Sequence, residues 1–383
     1  MASIFDESVF APVHTFMGAP QSWDLANAKA AVLGIPFDAG THAVRIGARL
    51  GPSAIREQSA LVRRYEPPLH NFDPVHNLGL LDCGNARVIP GIIGESFAAI
   101  EEAVGRIAGA GAVPLAMGGD GMISLPQMRA LHRLYPDLCV LHLDAHTDAY
   151  PNDGPGERHR YNPGTTFTCA ADEGLVDTGH SLHVGARGPT YEKRAIDSAI
   201  QRQYGVIPGI ELRSRGIPDV LREIRERMAG RPIYLCFDMD FFDPSCAPGV
   251  CTPAWGGVSA GEGLALIAAL EGLRFVAFDI NTVSPPHDVG GMTAFLAASC
   301  LHQFLILLCK QLRLVREIIN AAFRELGREF TPEEIEAIDT FLPRPSDCNS
   351  KPCLEPGEAS FLNNYTVMHA HSQFDDWEPI RNG

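Results

Sequence analysis

Residues 138–148 read Leu-Cys-Val-Leu-His-Leu-Asp-Ala-His-Thr-Asp: an apolar run that ends abruptly in Asp144, His146 and Asp148. Two more runs end the same way, IYLC before Phe237-Asp238-Met239-Asp240 and FVAF before Asp279-Ile280-Asn281. Short apolar, β-branched runs bounded by polar residues are strand signals. Others fall at Ala31–Ile35, Ala112–Ala116, Ser181–Val184 and Ile207, with Ile233–Phe237 and Phe275–Phe278 completing the set. Amphipathic stretches such as Glu95–Ala110 and Pro218–Met228 lie between them. This alternation predicts an α/β fold with one parallel sheet and helices on both faces. In such sheets ligands bind at the carboxyl ends of the strands, so the polar residues just past each strand carry the most information.

In extended backbone, residues i, i+2 and i+4 share a face, so Asp144, His146 and Asp148 are expected to point at one spot. Asp238 and Asp240 can reach it from the neighbouring strand. Four carboxylates gathered in a cleft repel one another unless a cation sits among them. Oxygen ligands with an imidazole suit Mn²⁺, and imidazole also suits Ni²⁺. Two such ions about 3.5–4 Å apart can activate a water for hydrolysis.

Composition narrows the class. The 383 residues carry 31 basic and 46 acidic side chains, a net charge of −15, which argues against nucleic-acid binding and suits a cationic substrate. With 45% hydrophobic and 20% charged residues the chain is globular rather than disordered. The longest apolar stretch, Phe295–Cys309, is shorter than the roughly 20 residues of a membrane span and reads as a core helix, so no membrane partner is expected. Ten irregularly spaced cysteines, several inside apolar runs, read as reduced core thiols. The N-terminus MASIFDESVF lacks a signal-peptide pattern, and a cytoplasmic location is expected. Thr331-Pro332-Glu333-Glu334 carries a helix-start signature, and the helix should stop at Pro343. Residues 1–342 are expected to form one domain. Residues 343–383, Pro-, Asn- and Ser-rich with spaced aromatics, are expected to form a tail that either docks on a neighbouring subunit or is disordered.

Seven segments in order resemble the ureohydrolase family of arginases and agmatinases: FMGAP (16–20), LGIPFDAGT (33–41), GARLGPSAIR (47–56), MGGD (117–120), DAHTD (144–148), FDMDFFDPSCAPG (237–249) and DINTVSPPHD (279–288). FMGAP and LGIPFD fit the agmatinase-like branch. The resemblance implies a three-layer α/β/α domain around a mainly parallel sheet, assembled into trimers or hexamers. It also implies a binuclear Mn²⁺ or Ni²⁺ centre that cleaves a guanidine C–N bond. The ligands it implies here are Asp144, His146, Asp148, Asp238 and Asp240.

Three positions depart from the family pattern. Gly121 stands where the family's first metal-ligating His follows Gly-Gly-Asp. Pro163, in Asn162-Pro163-Gly164-Thr165, stands where a catalytic His precedes Gly-Thr. Thr282 stands where an acidic residue grips the substrate guanidinium. Val250-Cys251 also replace the usual Thr-Gly near the substrate loop. With a ligand, a proton-transfer group and a substrate anchor lost together, no catalytic set is intact, and the chain is expected to hold one ion or none. The pattern resembles the two-subunit hydrolases of biguanides and dimethylguanidine. It implies a non-catalytic subunit supporting an active paralogue that carries the binuclear centre, in a metformin or substituted-guanidine hydrolase. Two alternatives remain open: an active agmatinase-like enzyme in which His42, His159, His180 or His287 replaces the lost imidazole, or a guanidinium-binding module.

Overall fold

The computed structural model describes residues 13–39, 44–66, 70–153 and 161–314. Its centre is one eight-stranded sheet of β1 (Ala30–Gly34), β2 (Leu81–Asn85), β3 (Val113–Met117), β4 (Cys139–Leu143), β5 (Leu182–Val184), β6 (Gly205–Ile207), β7 (Ile233–Asp238) and β8 (Phe275–Asn281). The spatial order is β2-β1-β3-β8-β7-β4-β5-β6, and every neighbouring pair is parallel. Every residue of β4, β7 and β8 is buried, as flanking helices require. Seven strands fall where the sequence places them, to within a few residues at each end. β2, at one edge, was not expected: the run LDCGN has too few apolar residues to register as a strand.

The helices Ile93–Gly109 and Ile217–Met228 match their amphipathic patterns. Met292–Gln311 extends the expected core helix, and although it is long and apolar enough to cross a bilayer, 83% of its apolar window is buried inside the fold. None of the eight described cysteines forms a disulfide, and seven are buried, consistent with reduced core thiols.

The chain divides into two compact units. One comprises residues 1–62 and 74–312 and holds the whole sheet. The other comprises residues 63–73 and 313–383; within it Glu66 bridges to His70 and Arg64 pairs with Asp73 at 2.9 Å. The helix expected at Thr331 and the tail from 343 lie outside the described residues.

Central strands β3, β8, β7 and β4 aim their carboxyl ends at one region. After β3 the chain runs through Gly118 and Gly119, and a Cβ on Gly119 would sit 1.8 Å from the Phe37 carbonyl oxygen. Only glycine lets the loops after β1 and β3 touch there, which seats Asp120 beneath Ala39.

Candidate metal centre

Asp144 is the first residue past β4, and from it the two sides of the site are built. Its Oδ1 accepts from the His146 backbone N–H at 2.6 Å and lies 3.1 Å from His146 Nδ1. Its Oδ2 lies 2.9 Å from Nε2 of His142, two residues back on the same strand face. His146 Nδ1 is also 3.2 Å from Asp240 Oδ2, and Asp240 Oδ1 accepts from the Ala145 N–H at 3.0 Å. Two groups result, each with ligand atoms within 4.8 Å of one another: Asp144, His146 and Asp240, and His142, Asp144 and Asp148.

Four of the five expected ligands are thus brought together, but not by the expected route. β4 ends at Leu143, and Asp148 adopts a left-handed backbone, φ 45°. The chain curls back after the strand instead of continuing it, so the shared-face argument is corrected although the residues converge. Asp238 lies outside both groups. Its Oδ1 accepts from the Asp240 N–H at 2.8 Å and from the Thr282 hydroxyl at 2.5 Å.

All four carboxylates are buried. Burial alone would raise the Asp144 carboxyl, but His142 and then His146 outweigh it and hold it well below the ordinary range. Burial and the Asp144 charge push Asp148 and Asp240 up; burial, then Asp240 and Asp144, push Asp238 up. Burial disfavours the His146 imidazolium, yet Asp240 and Asp144 hold its pKa well above the usual value. The Asp148 carboxylate accepts no hydrogen bond among the described residues, although it is only 8% exposed. A buried carboxyl whose charge is opposed by burial and by Asp144 is one that a divalent cation would hold ionised, and the oxygen-and-imidazole donor set fits Mn²⁺ or Ni²⁺.

The three departures stand around these carboxylates. Gly121 opens the turn Gly121–Ile123, capped by Asp120, whose Oδ1 accepts from the Met122 N–H at 3.1 Å. A Cβ on Gly121 would lie 3.1 Å from Asp148 Oδ2 and 3.7 Å from Pro163 Cβ. A side chain at 121 would therefore enter the site at Asp148, and the pyrrolidine of Pro163 forms the adjoining wall. Pro163 is buried at the start of the turn Pro163–Thr165, set by the Asn162–Thr165 capping box. Thr282 has φ 65°, uncommon for a β-branched residue, and its hydroxyl is spent on Asp238. Next to it, Cys251 donates its backbone N–H to the Thr282 carbonyl, and burial followed by the charges of Asp238 and Asp120 pushes its thiol up. Arg45 clamps the same loop through the Pro248 and Val250 carbonyls at 2.7 and 2.9 Å.

Two of the proposed substitute imidazoles are placed elsewhere. His180 sits just before β5, at the opposite end of the sheet, bound to Asp177 at 2.8 Å and Arg231 at 3.2 Å. His287 meets Ser284 Oγ at 2.9 Å and the Val44 carbonyl at 3.2 Å. Neither supplies the lost ligand, and His42 and His159 lie outside the described residues. The imidazoles the sequence reading missed are His142 and His183, buried in adjacent strands with their Nδ1 atoms 2.9 Å apart. Position i−2 from Asp144 was the available signal. Phe167 packs on His142 at 4.4 Å and Tyr204 on His183 at 4.7 Å.

Beneath the site, Asp279 ties β8 to β7 and to the helix Ser124–His132. It accepts from Ser124 at 2.7 Å, Gln127 and Asn281 at 3.0 Å each, and the Tyr234 hydroxyl.

A model of the arginase family matches residues 28–307. The chain is 37% identical over 306 residues to the guanidinopropionase of Pseudomonas aeruginosa, covering 79% of this chain and 93% of that protein. A crystal structure described as a hypothetical agmatinase from Burkholderia thailandensis superposes with TM-score 0.72 at 32% identity, over 79% of this chain and 92% of that one. Formiminoglutamase of Trypanosoma cruzi, solved with Mn²⁺, superposes with TM-score 0.68 at 25% identity, over 76% and 97% of the two chains. Sheet order, carboxylate centre and sequence agree: the chain belongs to the arginase family of metal-dependent hydrolases.

Proposed function

We propose that this chain is the non-catalytic member of a hetero-oligomeric, metal-dependent hydrolase of guanidine-type C–N bonds, in which a paralogous ureohydrolase subunit carries out turnover. The substrate class is a biguanide such as metformin or a substituted guanidine, releasing urea or a guanylurea-type product, in a trimer or hexamer in the cytoplasm. One observation carries the reading. Gly121 and Pro163 adjoin each other at Asp148, and Thr282 is engaged with Asp238, so no side chain at these three positions can ligate, transfer a proton or pair with a guanidinium.

A bound ion would supply Lewis-acid polarisation at Asp144, His146 and Asp240. Pro163 offers no group that moves a proton, typically worth about 10²–10⁴ in rate. Thr282 offers no anion to offset a buried guanidinium. The carboxylates are retained because they shape the centre: Asp144 and Asp240 fix the backbone N–H groups of His146 and Ala145.

The test is to purify the chain alone and co-expressed with a ureohydrolase paralogue, then assay agmatine, guanidinobutyrate, dimethylguanidine and metformin. An inert single chain that co-purifies with an active partner and raises its turnover is the expected result. Turnover by the single chain equal to that of the complex would refute the reading. That outcome would instead support an active hydrolase with an altered metal set, the reading favoured by the intact Asp144–His146–Asp240 group.

A further inference from the structure

We propose that His142 supplies the metal-ligating imidazole that position 121 has lost, so that His142, Asp144 and Asp148 hold an ion beside the one held by Asp144, His146 and Asp240.

Mn²⁺ or Ni²⁺ sits roughly 2.1 Å from oxygen or imidazole nitrogen, so two ligands at right angles lie about 3.0 Å apart. His146, a ligand the family pattern already implies, shows that spacing: 3.1 Å to Asp144 Oδ1 and 3.2 Å to Asp240 Oδ2. His142 Nε2 shows it too, 2.9 Å from Asp144 Oδ2. The two imidazoles flank opposite oxygens of one carboxylate, as two ions sharing Asp144 would require.

Asp148 is the second, independent observation. It is buried, its carboxylate accepts no hydrogen bond among the described residues, and one of its oxygens lies within 4.8 Å of the ligand atoms of His142 and Asp144. Gly121 leaves Asp148 Oδ2 uncovered on the remaining side. A buried carboxyl without a hydrogen-bond donor, beside a buried imidazole, is a setting that a shared cation would satisfy.

The outer partner of His142 completes the case. Ligating histidines almost always donate their other ring N–H to a fixed acceptor. His142 Nδ1 faces His183 Nδ1 at 2.9 Å, so one of the two rings donates to the other. His183 Nε2 has no hydrogen-bond partner among the described residues. The pair therefore has two tautomeric arrangements without any change in charge. With His142 Nε2–H donating to Asp144, His183 donates from Nδ1 to His142. With His142 Nε2 given to an ion, His142 donates from Nδ1 and His183 carries its proton on Nε2. Phe167 and Tyr204 wall both rings, so neither arrangement needs the rings to move.

This inference stands whether or not the chain turns over substrate, and its readouts do not use activity. The full chain is loaded with Mn²⁺, desalted and analysed for metal per chain and by electron paramagnetic resonance. The wild type is expected to hold two ions and to give the exchange-coupled spectrum of a Mn²⁺ pair. His142→Gln and Asp148→Asn are each expected to drop to one ion with a mononuclear six-line spectrum, and the second ion's affinity to fall by at least about 10–100-fold. Gly121→His in the His142→Gln background is expected to restore the pair. Nitrogen-15 spectra of the wild-type histidines should show the His142 proton moving from Nε2 to Nδ1 on metal addition, a readout that needs no variant. One ion per chain in the wild type, or two retained in His142→Gln with unchanged affinity, overturns the proposal.

Discussion

Replacing Asp120 with Asn should reverse sign in its effect on stability between acid and mildly alkaline pH. Asp120 is 1% exposed, and its two oxygens accept backbone N–H bonds from Ala39 at 2.7 Å and Met122 at 3.1 Å. Burial nonetheless pushes its carboxyl up to about 7 from 3.8. Below pH 4 both folded and unfolded states hold the proton. Between 4 and 7 the folded state keeps a proton that the unfolded state has lost, so stability falls as pH rises. Above 7 the whole penalty is present. A shift of roughly 3 units at about 1.4 kcal/mol each amounts to about 4 kcal/mol. Asn cannot ionise, but its amide can accept only one of the two N–H groups, a loss of about 1 kcal/mol. The variant should therefore be about 1 kcal/mol less stable than wild type at pH 3, about equal to it near pH 4.5, where the penalty has reached about 1 kcal/mol, and about 3 kcal/mol more stable at pH 8. Urea unfolding of chelator-treated protein at pH 3, 4.5, 6, 7 and 8 measures this. Titrating groups that do not feel the Asp120 charge cancel in the difference between the two proteins, whereas Asp148, which does feel it, adds to the gain at high pH. A difference that stays constant across the series would refute the buried-carboxylate reasoning.

Other outcomes follow from the same centre. Asp148→Asn should stabilise the metal-free protein at pH 7, because burial and Asp144 already oppose the Asp148 charge, and should remove the stabilisation that Mn²⁺ confers; thermal melts with and without Mn²⁺ read both effects. Thr282→Ala should be less stable than Thr282→Ser by about 1–3 kcal/mol, since only Ser keeps the hydroxyl donated to the Asp238 carboxylate, and equal denaturation midpoints would remove that bond from the account. Tyr234→Phe should cost about 1–3 kcal/mol by withdrawing a donor from buried Asp279, measured by urea unfolding at pH 7.

What the sequence made legible was periodic or abrupt. The central strands are buried on both faces, so they appear as unbroken apolar runs, and Asp144, Asp238 and Asp279 stand out where those runs stop. β2 escaped because an edge strand with Asp82 inside need not be apolar; Asp82 is there to pair with buried Arg56 at 2.8 Å. His142 escaped for the opposite reason. Inside LCVLHL a histidine reads as one more core residue, and only the neighbour across the sheet, His183, and the carboxylate two residues on give it a polar setting. Asp148 meets Asp144 through a left-handed backbone rather than an extended one, and it joins His142 instead of His146, which strand alternation does not foresee. Distances between loops are invisible to sequence spacing, which is why the adjacency of positions 121 and 163 came only with the fold.

That adjacency has an evolutionary consequence. A Cβ at 121 and the Cβ of Pro163 would be 3.7 Å apart, both beside Asp148, so the two family imidazoles belong to one wall and are exposed to selection as a unit. Substitutions at the two positions should therefore be non-additive, because neighbours that share a wall do not act independently. On the non-catalytic reading proposed above, His at 163 alone would add a base with no imidazole beside it at 121, and His at 121 alone would add a ligand beside a proline that moves no proton. Turnover on that reading would call for changes at 121, 163 and 282 together.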